Sequence, residues 1–61
     1  MAKGLKEKID FLFELIKLND SYYHGHVPDF EIKHLLKLGA EQEYINEQLI
    51  KYKLTIRNTN L

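Results

Sequence analysis

The side chains best equipped for chemistry in this sequence crowd into one stretch, Tyr22-Tyr23-His24-Gly25-His26, with Asp29 and His34 close behind. Imidazole suits zinc and nickel, so a His-x-His pair with a third histidine is a minimal set of metal donors. The spacing matches neither the His-Glu-x-x-His arrangement of helical zinc sites nor a cysteine-based finger. The chain has no cysteine at all. The expectation is therefore no metal and no cofactor, with the histidines in water. The same residues suit contact with a protein, because tyrosine offers large area and is enriched at interface cores. Tyr22, Tyr23, His24 and His26 are candidate partner-binding residues on that ground.

Catalysis finds little support. Ser21 lies near two histidines without a triad pattern, and the three glycines, Gly4, Gly25 and Gly39, are isolated rather than gathered into a phosphate cradle. Carboxylates are scattered. A chain of 61 residues can hardly enclose a substrate pocket, which is on the order of several hundred Å³. No catalytic residue is expected, and the protein reads as non-enzymatic. The formal net charge of +0 with 30% charged residues excludes a disordered polyelectrolyte and a basic nucleic-acid coat.

The elements that position these residues are read from apolar spacing. A first helix is predicted from about Leu5 to Leu18, capped by Gly4, with Leu5, Ile9, Leu12, Phe13 and Ile16 on one face. Phe11, Leu15 and Leu18 form a further stripe, giving an apolar arc of roughly 220° where a one-sided surface helix needs about 100°. Residues 19 to 27 read as a loop of turn formers. A short second helix runs from Pro28, a good first helical residue, to Leu38, with Ile32, Leu35 and Leu36 inward and Gly39 as its stop. A third helix is predicted from about Glu41 to Arg57, with Ile45, Leu49, Tyr52 and Ile56 as its main stripe. Ile50 and Leu54 fall almost opposite that stripe. Residues 58 to 61 should fray.

The fold class this implies is all-α: a small three-helix domain, long-short-long, completed as a homodimeric helical bundle. Domains of this size are marginal, burying only about 60% of the surface their unfolded chains expose. With disulfides excluded, self-association is the remaining common device, and a symmetric dimer is its commonest form. Phe11, Leu15, Leu18, Ile50 and Leu54 are the positions expected to meet a second chain.

The segment from Glu31 to Leu49 resembles a helix-turn-helix. Leu35, Leu38, Gly39 and Ile45 stand where that motif places its first-helix apolars, its turn glycine and its buried second-helix aliphatic, with Ala40-Glu41-Gln42 as the turn. The resemblance implies DNA binding through the third helix, where Lys51, Lys53 and Arg57 would supply the phosphate contacts. The primary expectation is different: a small interaction protein that binds and modulates a larger protein as inhibitor, anti-regulator or adaptor. Such stand-alone helical proteins are frequent in bacteria and their mobile elements. The apolar run Ile9 to Leu18 is too short to span a bilayer and is broken by Asp10, Glu14 and Lys17. With no secretory signal evident, a cytoplasmic setting and no membrane partner are expected.

Overall fold

Leu5, Ile9, Leu12, Phe13 and Ile16 recur at helical spacing, and the chain is helical through all of them. In the computed structural model, which describes residues 1–57, α1 spans Lys3–Leu18. The expected tail, residues 58–61, lies outside the described residues. Ala2 rather than Gly4 begins the helix, since the Leu5 and Lys6 N–H groups donate to the Ala2 carbonyl at 3.1 and 3.2 Å. Asn19 ends it twice over: its backbone N–H and its Nδ2 both donate to the Leu15 carbonyl at 2.9 Å.

The segment expected as a plain loop holds two short elements. α2 (Asp20–Tyr23) is a single turn. His24 (φ 55) and Gly25 (φ 76) are then both left-handed and swing the chain into β1 (His26–Pro28). Glycine enters that region freely, and histidine enters it more readily than most residues.

α3 spans Asp29–Lys37, with Asp29 and Glu31 in its first turn and His34 and Lys37 in its last, each matching the helix dipole in sign. Pro28 closes β1 with extended backbone and caps this helix instead of starting it. Two bonds stop α3, Gly39 N–H to the Leu36 carbonyl (3.1 Å) and Ala40 N–H to the Leu35 carbonyl (3.0 Å), with Gly39 left-handed at φ 103. That is the Schellman pattern, and it buries Ala40 just beyond the stop.

The largest departure from the sequence reading comes next. α4 spans Gln42–Lys51 and does not continue to Arg57. It ends by the same device as α3, with Lys53 N–H bonded to the Ile50 carbonyl (3.1 Å) and Leu54 N–H to the Leu49 carbonyl (2.8 Å). Here the left-handed residue is Lys53, at φ 56. A non-glycine residue in that conformation costs roughly 1–2 kcal/mol. The turn drops Leu54 into the core beside Leu49, and full burial of a leucine contributes about 1.5–3 kcal/mol. Burial wins. Leu54, expected on an outward face, is only 5% exposed, whereas Ile50 is 78% exposed. Tyr52 and Ile56, expected on the main helical stripe, are respectively the residue closing α4 and a strand residue.

After that turn the chain extends as β2 (Thr55–Arg57), which pairs in parallel with β1: His26 with Thr55, Val27 with Ile56, Pro28 with Arg57. Parallel strands require a crossover, which α3 and α4 provide. Thr55 N–H opens the ladder by donating to the Gly25 carbonyl at 3.1 Å. The chain is thus mostly helical with a small parallel sheet, not purely all-α. Its core gathers Ile9, Phe13 and Ile16 of α1, Val27 of β1, Ile32 and Leu35 of α3, Ile45 and Leu49 of α4, and Leu54. Tyr52 closes one edge, its ring meeting Phe13 edge-on at 6.4 Å. Gln48 is the polar exception: it is buried, and its Oε1 has no hydrogen-bond partner among the described residues.

The sign of one substitution distinguishes this fold from an uninterrupted third helix. Lys53→Gly should raise stability by about 1 kcal/mol, because glycine relieves the left-handed strain. Within a continuous helix the same change would lower it by about as much. Urea denaturation reads the sign directly. In the same assay Leu54→Ala should cost about 2–3 kcal/mol, and Ile50→Ala should stay within about 0.5 kcal/mol of the parent.

Candidate interaction surfaces

Helical geometry divides α1 into two apolar faces. At 100° per residue, Phe11, Leu15 and Leu18 lie within about 60° of one another, and Phe11 lies about 160° from Ile9. Ile9, Phe13 and Ile16 are the buried residues of this helix, while Phe11 is 63%, Leu15 39% and Leu18 75% exposed. The expected outer stripe of α1 is therefore present and uncovered. Ile50 is exposed on the outer face of α4, where the same periodicity places Glu43 and Glu47 within about 60° of it on one side. Leu54 is removed from the surface by the turn already described.

The Tyr22 to His26 residues are dispersed by the local fold. Tyr22 is exposed, while Tyr23 is half-buried and packed against the core; their rings meet edge-on at 4.9 Å. His24 is spent on the turn, its N–H donating to the Asp20 carbonyl at 2.7 Å. His26 is exposed on β1, and its Nδ1 shares a 2.6 Å hydrogen bond with the Thr55 hydroxyl, whose donor depends on the imidazole tautomer. Among the described residues no three His, Asp or Glu side chains are placed to hold a metal ion.

Strand alternation then assembles a surface that sequence reasoning missed. Val27 points inward with no exposure, so His26 and Pro28 lie on the outward face of β1. The parallel register sets Thr55 beside His26 and Arg57 beside Pro28 on that same face. Tyr22, Tyr23 and Phe30 join His26, Pro28 and Arg57 around an open concavity of about 310 Å³. A second concavity, of about 470 Å³, shares Phe30 and continues along α3 past Glu31, Lys33, His34 and Lys37. Phe30, His34 and Lys37 share a helix face opposite the buried Ile32 and Leu35. The spacing of that stripe was readable in the sequence. Its junction with Arg57 depends on a strand pairing that was not.

The residues named for DNA binding do not share an element. Lys51 ends α4, with its ammonium 5.4 Å from the Tyr52 ring centroid; Lys53 occupies the left-handed turn; Arg57 closes β2. The outer face of α4 instead presents Glu43 and Glu47, carboxylates that phosphates repel. No helix among the described residues is long and apolar enough to cross a membrane.

One polar strut ties α4 to α1. The Tyr44 hydroxyl donates to Asp10 Oδ1 at 2.9 Å, and the Lys6 ammonium sits 5.4 Å from the same ring's centroid. Burial pushes the Tyr44 phenol above its ordinary pKa, reinforced by its hydrogen bond to the Asp10 carboxylate and by the negative charge there. The group is held protonated and works as a clamp, not as a proton donor for chemistry.

Compared with family models, with curated proteins and with solved structures, the chain matches none.

The strut has a signature in alkali. Because the folded state holds the Tyr44 proton more tightly than the unfolded chain, its stabilisation is complete below the ordinary tyrosine pKa and is lost as pH rises through the raised value. Urea midpoints measured from neutral pH into alkali should therefore fall more steeply in the parent than in Tyr44→Phe. The substitution should itself lower stability at neutral pH by about 1 kcal/mol, the usual worth of a lost hydrogen bond.

Proposed function

We propose that this chain is a small non-enzymatic interaction protein, which pairs with a second copy of itself along α1 and, as a homodimer, binds and modulates a larger protein. The observation that supports this reading is the uncovered Phe11, Leu15, Leu18 stripe, set opposite the core face of the same helix. A molecule that has already closed its core has no internal use for it. The patch amounts to roughly 300 Å², at the size where exposed apolar surface on a monomer becomes functional.

The spacing favours a second copy as its occupant. Gly4, Phe11 and Leu18 recur at heptad spacing and share the stripe, with Phe11 midway. A two-fold axis at Phe11, with α1 helices antiparallel, lays the bulk of Leu18 over Gly4 of the partner and Phe11 over its own counterpart. The position where a Gly4 side chain would begin has no atom within 4 Å, so nothing of the same chain stands over it. Large against small at both ends of a dyad is the self-complementarity that a closed dimer needs. Ile50 on α4 remains exposed for the larger partner.

Sedimentation velocity tests the pairing. The parent should sediment as a dimer at about 100 µM, a concentration sufficient for even a weak interface. Phe11→Asp and Leu18→Asp should sediment as monomers with unchanged helical circular dichroism, since both positions lie outside the core. Phe11→Cys should cross-link to its counterpart on oxidation, while Glu47→Cys should not. A parent that stays monomeric overturns the reading.

A further inference from the structure

We propose that the outward face of the sheet and the adjoining face of α3 form a binding platform for single-stranded nucleic acid, separate from the α1 stripe and independent of dimer formation. The chain is neutral overall, yet the residues lining the two joined concavities include three permanent cations, Arg57, Lys33 and Lys37, and a single carboxylate, Glu31. Lys33 lies 3.7 Å from Asp29, which offsets part of its charge. His26 and His34 add two further hydrogen-bonding groups on the same surface.

Ring placement supplies the second half. Tyr22 is 77% exposed and is held edge-on by Tyr23, while Phe30 is 58% exposed at the junction of the two concavities. Aromatic side chains flanking cations in an open groove are what single strands use: bases stack on the rings and phosphates meet the cations, with little dependence on sequence. Arg57 lines the same concavity as the tyrosine pair and Phe30, and Lys37 lies two helical turns beyond Phe30 on the same face of α3. A strand laid across the sheet and along α3 would thus meet rings and positive charge in succession. Duplex DNA fits less well, because its stacked bases cannot reach the rings. An acidic peptide would satisfy the cations and leave Tyr22 and Phe30 with no flat partner.

Fluorescence anisotropy with a labelled oligothymidylate of about twelve nucleotides, and with the matching oligouridylate, is the direct test. Half-saturation is expected at roughly 10 µM in low salt, with log affinity falling at a slope of about −2 against log salt for three phosphate contacts. Phe30→Ala and Arg57→Gln should each weaken binding about tenfold, the loss expected for one stacked base or one charged contact. Both positions are exposed, and circular dichroism of each variant confirms that it remains folded; Tyr22→Ala provides a second aromatic deletion. Similar affinity for the two oligonucleotides supports a platform reading bases and phosphates; preference for one assigns it to DNA or to RNA. Polyglutamate or duplex DNA competing as well as the single strand overturns the proposal in favour of an acidic partner or a general polyanion. Indifference to Phe30→Ala, or no binding at about 100 µM protein in low salt, overturns it as well.

Discussion

The left-handed turn at Lys53 is the constraint on which the rest of the structure depends. It stops α4 at Lys51, just past which Tyr52 closes the helix, drops Leu54 onto Leu49, and redirects the backbone so that Thr55 can bond to Gly25. If the helix ran on, Leu54 would face water and β1 would have no partner strand. Val27, now completely buried, would lose the strand that pairs with it. The energetic margin is narrow, a leucine's burial against the strain of one residue. Small domains are held by such margins because no single term in so short a chain is large.

That same turn explains where the sequence could and could not be read. Helix α1 and its two apolar faces follow from spacing alone, and Gly39 marks the end of α3 because glycine is the usual left-handed residue. Lys53 carries no such mark. Ile45, Leu49, Tyr52 and Ile56 keep helical spacing straight through it, so the periodic signal outlasts the helix that produced it. The strands are equally silent. Three residues are too few to display alternation, and the register that sets Arg57 beside Pro28 joins segments separated by two helices. Of the apolar surplus, Phe11, Leu15, Leu18 and Ile50 are indeed on the surface, while Leu54 belongs to the core. The outward stripe of α3, Phe30, His34 and Lys37, keeps helical spacing opposite Ile32 and Leu35 and is legible from that spacing.

Both candidate surfaces arise from the backs of elements whose fronts make the core. α1 buries Ile9, Phe13 and Ile16 and displays Phe11, Leu15 and Leu18; α3 buries Ile32 and Leu35 and displays Phe30, His34 and Lys37; β1 buries Val27 and displays His26 and Pro28. Each of these three elements is both core and surface, so residue changes on their outer faces cost little stability. The chemistry of the two faces differs because their compositions differ. The α1 stripe is aliphatic and aromatic, with Lys8 at its margin beside Leu15, which suits a helix–helix contact with a charged rim. The α3 and sheet face mixes rings with cations, which suits a hydrated, charged ligand.

A formal charge of zero does not argue against the second face, because potential is local. The screening length at physiological salt is about 8 Å, and the molecule measures 31 × 25 × 15 Å. Glu43 and Glu47 point outward from α4, and Glu7 and Glu14 lie on α1 rather than on α3 or the sheet. A ligand seated against Phe30 responds chiefly to the charges within a screening length, and those include Arg57, Lys37 and Lys33 against Glu31 and Asp29. Neutrality affects the other property, the reach of the field: without long-range attraction, encounter is not steered and affinity rests on contact alone. Stacking on Tyr22 and Phe30 then matters more here than in a basic protein, where charge could compensate for missing rings.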